Sequence, residues 1–188
     1  QMRYAEKAGE SPFVFDYAVS AFAYEDIAVD GIYALKNGIG ANFAEYAGEI
    51  LCDKLENDGK SRVDIVTAVP MSRRKKNARG YNQAELLAKH IAKALDLQTD
   101  FKILKRTSDS LEQHKLDSRQ RHEFAQKIYY KNPKSAPIKD KAVILCDDVF
   151  TTGATMNKCS SILKDMGAKE VYCVSICCTD KKFSTPEE

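Results

Sequence analysis

Val143-Ile-Leu-Cys-Asp-Asp-Val-Phe-Thr-Thr-Gly-Ala-Thr155 is the stretch on which the fold of this chain turns. Ala142 to Cys146 form a short apolar run with β-branched members, the pattern of a parallel strand buried on both faces, and Thr-Thr-Gly breaks it. A helix is expected next. Met156, Cys159, Leu163 and Met166 recur at helical spacing until Gly167 supplies a stop, which places the Thr/Gly turn at that helix's N-terminus. Backbone N–H groups there lack intrahelical partners. Together with the hydroxyls of Thr151, Thr152 and Thr155, and with Gly153 allowing close approach beside Ala154, such an end suits a phosphate dianion. Asp147 and Asp148 precede the turn at the strand's carboxyl end, where ligands of open α/β sheets bind, and they reach sugar hydroxyls.

A ribose places its 2'- and 3'-hydroxyls several ångströms from its 5'-phosphate, so one strand-turn-helix can hold both ends. Taken singly, Asp, Thr and Gly are ordinary boundary residues that end strands and cap helices. The thirteen residues together carry the reading of a ribose-5-phosphate site.

The run resembles the phosphoribosyl-diphosphate (PRPP) signature of type I phosphoribosyltransferases, in which two acids follow hydrophobic residues and precede Thr-Gly. The resemblance implies that Asp147 and Asp148 bind the ribose hydroxyls as catalytic residues, and that Thr151, Thr152, Gly153, Ala154 and Thr155 bind the 5'-phosphate. It also implies Mg2+ held through PRPP, with Asp147 and Asp148 as its nearest protein groups. Hypoxanthine-type members place a third Asp where this chain has Thr151, which argues against a hypoxanthine or guanine enzyme.

With 188 residues and 44% hydrophobic content, the chain makes one domain with a sizeable core. Neither a membrane span nor a signal peptide is expected, and six cysteines scattered through apolar patterns point to reduced thiols and a cytoplasmic setting. Cys146, beside Asp147, is expected to be a core thiol rather than a nucleophile, since neighbouring carboxylates disfavour the thiolate. The net charge of +2 hides an uneven distribution: residues 1–60 carry 5 basic and 11 acidic groups, 61–139 carry 18 and 8, and 140–188 carry 6 and 8. The basic middle suits a polyanion such as PRPP and its departing pyrophosphate.

Elements alternate along the chain. Asp16 to Tyr24 is expected as a strand or hairpin arm, followed by helices over Asp26–Lys36 and Asn42–Glu56. Arg62 to Pro70 is expected as a buried strand delivering a basic loop, and Asn82 with Glu85 as the capping box of a helix with Ala84, Leu87, Ala88, Ile91 and Leu95 on its stripe. Further strands are expected over Thr99–Leu104, Lys127–Tyr130 and Glu170–Cys178, the last after a Thr155–Met166 helix. This order predicts an α/β fold, with a largely parallel central sheet flanked by helices. Residues 1–15 and 181–188 are expected as tails to a domain over 16–180. The family resemblance makes this a type I phosphoribosyltransferase fold, with a small hood from the N-terminal part.

A second constellation, Val69 to Gln83, joins a strand end to a capped helix and resembles the competence-associated ComF family, which carries Val-Pro followed by a basic Arg-Gly-Phe-Asn-Gln segment. Tyr81 replaces the Phe, and Lys75 stands where an Arg is usual, keeping charge without the bidentate fork. The resemblance implies that Pro70, Met71, Ser72 and Arg73 hold pyrophosphate with Lys75 and Arg79, and that Gln83 supports the site. A third segment, Arg106 to Phe124, resembles the family's mobile catalytic loop through Gln113, Leu116 and Arg121, which marks Arg121 as catalytic. His114 and His122 are candidates for proton transfer. Many ComF members begin with a cysteine-rich zinc module, but no Cys precedes Phe15, so no zinc site is expected.

The expected function is transfer of ribose 5-phosphate from PRPP to an unidentified nitrogen nucleophile. The alternatives are a non-catalytic PRPP sensor and a nucleic-acid-binding accessory protein of DNA uptake, the latter through Arg73, Arg74, Lys75, Lys76 and Arg79. A homodimer is compatible with the reading. Gly38-Ile-Gly-Ala-Asn-Phe43 is expected to be a helix-start turn, since a dinucleotide loop needs a third Gly and a preceding strand.

Overall fold

The computed structural model describes residues 13–107 and 118–179. In chain order the elements are β1 (Tyr17–Ala23), α1 (Asp26–Lys36), α2 (Ala41–Asn57), β2 (Ile65–Ala68), α3 (Arg73–Arg79), α4 (Gln83–Ala94), β3 (Gln98–Thr99), β4 (Leu104–Arg106), α5 (Ser118–Ile128), β5 (Tyr129–Lys131), β6 (Ala142–Phe150), α6 (Ala154–Asp165) and β7 (Glu170–Cys178). Five strands form one sheet in the order β1-β7-β6-β2-β3, with every neighbouring pair parallel. β4 and β5 make a separate antiparallel pair.

Strand alternation divides the apolar residues between two cores. Val143 and Leu145 of β6, with Val171 and Cys173 of β7, pack against Phe124 and Ile128 of α5 and Met156, Cys159 and Leu163 of α6. Ile144 and Cys146, with Tyr172 and Val174, face Leu35 of α1, Leu51 and Leu55 of α2, and Leu87 and Ile91 of α4. Near-continuous apolar runs are what a strand covered on both sides requires. The result is the expected α/β architecture, a parallel sheet flanked by helices.

Several elements differ from expectation. β6 continues to Phe150, because β7 goes on pairing with it through Asp147↔Ser175 and Phe150↔Cys178 after the apolar run has ended. The basic loop after Pro70 is a helix, α3: Ser72 Oγ accepts from Lys75 N at its start, and Gly80, at φ 81°, closes it with an N–H to Lys76 O at 2.8 Å. None of its residues is buried, so apolar periodicity carried no trace of it. Thr99–Leu104 is not one strand. Asp100 Oδ1 accepts from Lys102 N at 2.8 Å and turns the chain, leaving β3 and β4 in different sheets.

Lys127 and Ile128 end α5 rather than open β5. Part of the expected 106–124 loop is likewise helical, with Phe124 and Ala125 buried as the apolar face of α5. His114, Gln113 and Leu116 lie outside the described residues, as do the side chains of Arg121 and His122. Of the two forms expected for Asp16 to Tyr24, the strand is the one found: β1 is a parallel edge strand beside β7. Phe13 and Phe15, expected in a tail, stack at 4.8 Å and pack edge-on to Phe150. Asn82 caps α4 through Ala84 N at 3.2 Å, while Glu85 is engaged by Lys76 Nζ at 2.8 Å instead of closing a capping box.

Candidate functional site

The pairing of β2 with β6 stops at Ala68↔Cys146, whereas β7 stays with β6 to its end. From Asp147 onward one edge of β6 is therefore open. The two acids themselves satisfy backbone donors there: Asp148 N donates to Asp147 Oδ1 at 2.9 Å and Val149 N to Asp148 Oδ1 at 2.8 Å. Each carboxyl group is thereby oriented, with its other oxygen available for other partners. Lys36, at the end of α1, approaches Asp148 Oδ2 to 3.6 Å.

Desolvation raises the pKa of Asp147 well above the usual carboxylate value, and the adjacent Asp148 adds to the rise. A raised folded-state pKa means that this group's contribution to stability is fully present below the unfolded value and is lost as pH rises through the folded one. Asp147→Asn is therefore expected to melt at a higher temperature than the parent protein at about pH 8, with the gap closing toward about pH 3, below the unfolded carboxyl's own value, where both states are protonated. Thermal melts across that range check it; a lower Tm at the alkaline end would contradict it.

Beyond β6 the chain turns at Gly153, whose φ of 75° makes it the left-handed N-cap of α6. Its carbonyl accepts from Asn157 N at 2.8 Å, and Thr152 Oγ1 accepts from Ala154 N at 3.4 Å. A Cβ at position 153 would lie 2.7 Å from Phe13 and 2.9 Å from Phe150, so glycine is demanded by space as well as by φ.

These elements border a cleft of about 380 Å³. It brings together Asp147, Asp148, Thr151, Thr152, Ala154 and Thr155, from β6 to the start of α6, with Pro70, Met71, Lys75 and Arg79, from the segment after β2. Three expected residues do not line it. Gly153 supports the turn from beneath, Ser72 is buried as the cap of α3, and Arg73 points to solvent on an exposed helix. Gln83, buried under the site, accepts from Arg79 Nη1 at 3.1 Å and so braces that guanidinium.

Sequence reasoning missed Tyr24, Lys36, Arg106, Tyr129 and Thr179, all of which line the cleft. Tyr24 and Lys36 are what the N-terminal part contributes over the site. Lys36, Lys75, Arg79 and Arg106 together place four cationic side chains around two acids. Cys146 is fully buried and its thiol is pushed up by that burial, the state of a core residue. Among the described residues no group of three or more His, Cys, Asp or Glu side chains converges to hold a metal ion, and no helix is long and apolar enough to cross a membrane.

Residues 81–188 match the family model described as "Phosphoribosyl transferase domain", a stretch that includes all of β6, the turn and α6. The chain belongs to this phosphoribosyl transferase family. Two relatives agree with the ComF resemblance: Competence protein F of Haemophilus influenzae (strain ATCC 51907 / DSM 11121 / KW20 / Rd), 30% identical over 57% of this chain and 47% of its own, and DNA utilization protein YhgH of Escherichia coli (strain K12), 31% identical over 62% and 50%. The chain thus spans about half the length of these curated relatives. In fold, this phosphoribosyl transferase domain is similar to glutamine PRPP amidotransferase from B. subtilis, with a TM-score of 0.51 at 17% identity over 86% of this chain and 34% of the other.

Proposed function

We propose that the cleft binds PRPP and transfers its ribose 5-phosphate to a nitrogen nucleophile, releasing pyrophosphate. The observation that carries this is the succession on one strand-turn-helix of two oriented carboxyls and a left-handed glycine turn, in a cleft that Lys75 and Arg79 also line. Asp147 and Asp148 accept from the ribose 2'- and 3'-hydroxyls and stabilise the positive charge that develops at C1. The Thr151–Thr155 turn holds the 5'-phosphate by hydroxyl and backbone N–H donors. Lys75 and Arg79 take the pyrophosphate, whose bond to C1 breaks with both electrons leaving on oxygen. The nitrogen lone pair forms the new bond to C1, and its proton departs to solvent or to the pyrophosphate. Positioning and electrostatics do this without a covalent enzyme intermediate.

Mg2+ fits the site as a guest of the substrate: the paired acids of β6 give it protein oxygens on one side only, in keeping with an ion that retains water and binds substrate phosphates. Bound there, it would neutralise charge on the leaving pyrophosphate.

The test is pyrophosphate release from PRPP and Mg2+ across a panel of nucleobases and amines, run beside thermal shift. PRPP at a hundredfold excess over its Kd is expected to stabilise the fold by about 2.7 kcal/mol. Stabilisation with release identifies the transferase, and stabilisation without release across the panel identifies a PRPP sensor. No stabilisation rejects both. A nucleic-acid role has support of its own in α3, an exposed seven-residue helix with Arg73, Arg74, Lys75, Lys76 and Arg79 beside the cleft, and in the names of the relatives. It predicts DNA binding that weakens steeply with salt, without any need for PRPP.

A further inference from the structure

Lys36 ends α1, lines the cleft and brings its ammonium to 3.6 Å from Asp148 Oδ2. That separation makes an ion pair but exceeds the length of a charge-assisted hydrogen bond, about 2.7–2.9 Å. Among the described residues the ammonium donates no hydrogen bond, although its side chain is only 31% exposed. A partly desolvated cation with three donors unspent therefore borders the acid pair. Asp148 Oδ1 is already occupied by Val149 N, so Oδ2 is the oxygen left for a sugar hydroxyl, and at 3.6 Å Lys36 leaves it room to accept one.

The backbone that carries Lys36 is fixed from α4. Ile39 N, four residues after Leu35, donates to Ala34 O, and the Leu35 carbonyl instead accepts from Tyr81 Oη and from Gln83 Nε2, the latter at 3.4 Å. Leu35 and Gln83 are both fully buried. The other end of the Gln83 amide accepts from Arg79 Nη1 at 3.1 Å. One buried amide thus ties the end of α1 to the Arg79 guanidinium. Lys36 is joined on one side to Asp148 and, through Leu35 and Gln83, to Arg79. Those two groups are the ones assigned above to the ribose and to the pyrophosphate, and the bond that breaks lies between these two parts of the substrate.

We propose that Lys36 is a catalytic residue that donates to the leaving pyrophosphate, with Tyr81 and Gln83 positioning it through the carbonyl of Leu35. The assignment rests on the phosphoribosyl reading above and adds to it a group from α1. The C1–O bond breaks with both electrons passing to the pyrophosphate oxygen. Lys36 keeps its proton and supplies charge and hydrogen bonds where negative charge grows.

The experiment is calorimetric titration of the full chain with pyrophosphate and Mg2+ and, separately, with ribose 5-phosphate, in the parent protein, Lys36→Met, Lys36→Arg and Tyr81→Phe. Lys36→Met is expected to weaken pyrophosphate by about tenfold or more, the size of one hydrogen bond from a charged group, while ribose 5-phosphate stays within about threefold. Lys36→Arg, which retains the charge, is expected to fall between Lys36→Met and the parent. Tyr81→Phe leaves the cleft lining intact and removes one of the two donors to Leu35, so it is expected to weaken pyrophosphate by about threefold. Matching melting curves establish that the variants are folded. Unchanged pyrophosphate affinity in Lys36→Met, or an equal loss for both ligands, overturns the assignment and leaves the phosphoribosyl reading standing. A parent protein that PRPP stabilises but that does not bind pyrophosphate with Mg2+ overturns the assignment alone, and one that PRPP does not stabilise overturns both.

Discussion

Replacing Asp147 and Asp148 together by Asn is expected to reduce pyrophosphate release from PRPP by about a hundred- to a thousandfold or more, the scale on which one well-placed electrostatic group acts in a transition state. Both acids are held by backbone donors of the next residue, and an Asn carbonyl oxygen accepts the same bonds, so the local strand geometry survives the change. What is lost is charge. An ionised carboxylate is a stronger acceptor for a ribose hydroxyl than an amide oxygen and opposes the cationic character of C1.

Desolvation already disfavours the ionised form of Asp147, so removing that charge relieves the unliganded protein. The doubly substituted protein is thus expected to lose turnover without losing its fold. Release assays and melting curves on the same preparation read both quantities. Turnover within about tenfold of the parent would mean that the acids do not serve the transition state in the way described.

Gly153→Val is expected to have the largest effect on stability. Position 153 is held at φ 75°, a region that β-branched residues essentially do not occupy, and its missing Cβ faces the Phe13 and Phe150 rings. Left-handed strain of about 1–3 kcal/mol and an overpacking cost of similar size give a loss of about 2–4 kcal/mol once some relaxation is allowed. In a chain of this length that lowers Tm by roughly 5–15 °C. Because the same glycine sets the direction of the backbone N–H groups at the start of α6, the stabilisation by PRPP is expected to vanish as well. A variant that melts with the parent and keeps the PRPP shift would show that the turn neither needs glycine nor holds the ligand.

The site was legible wherever its residues are neighbours in sequence. Asp147 to Thr155 carry strand, acids, turn and helix start in one stretch, and the alternation of Val143, Ile144, Leu145 and Cys146 between two cores is the physical content of their apolar run. The missed residues reach the cleft by pairing across the chain. Lys36 arrives because β1 docks beside β7 and carries α1 with it, and Arg106 because the β4–β5 pair that joins it to Tyr129 borders the cleft. Neither pairing leaves a mark near Lys36 or Arg106 themselves.

Helix α3 escaped for a different reason. Its seven residues bury nothing, and its only local signals are the Ser72 cap and Gly80. The extent of β6 was underestimated because two acids interrupt its hydrophobic pattern just where backbone pairing to β7 carries the strand onward. There polarity marks function rather than the end of an element.

The structure of the chain soaked with ribose 5-phosphate bears most directly on the account. The sugar's 2'- and 3'-hydroxyls are predicted to lie within hydrogen-bonding distance of Asp147 and Asp148, with the phosphate over the N–H groups of the Thr151–Thr155 turn. A phosphate bound at α3 instead, or a sugar with no contact to either acid, would contradict it.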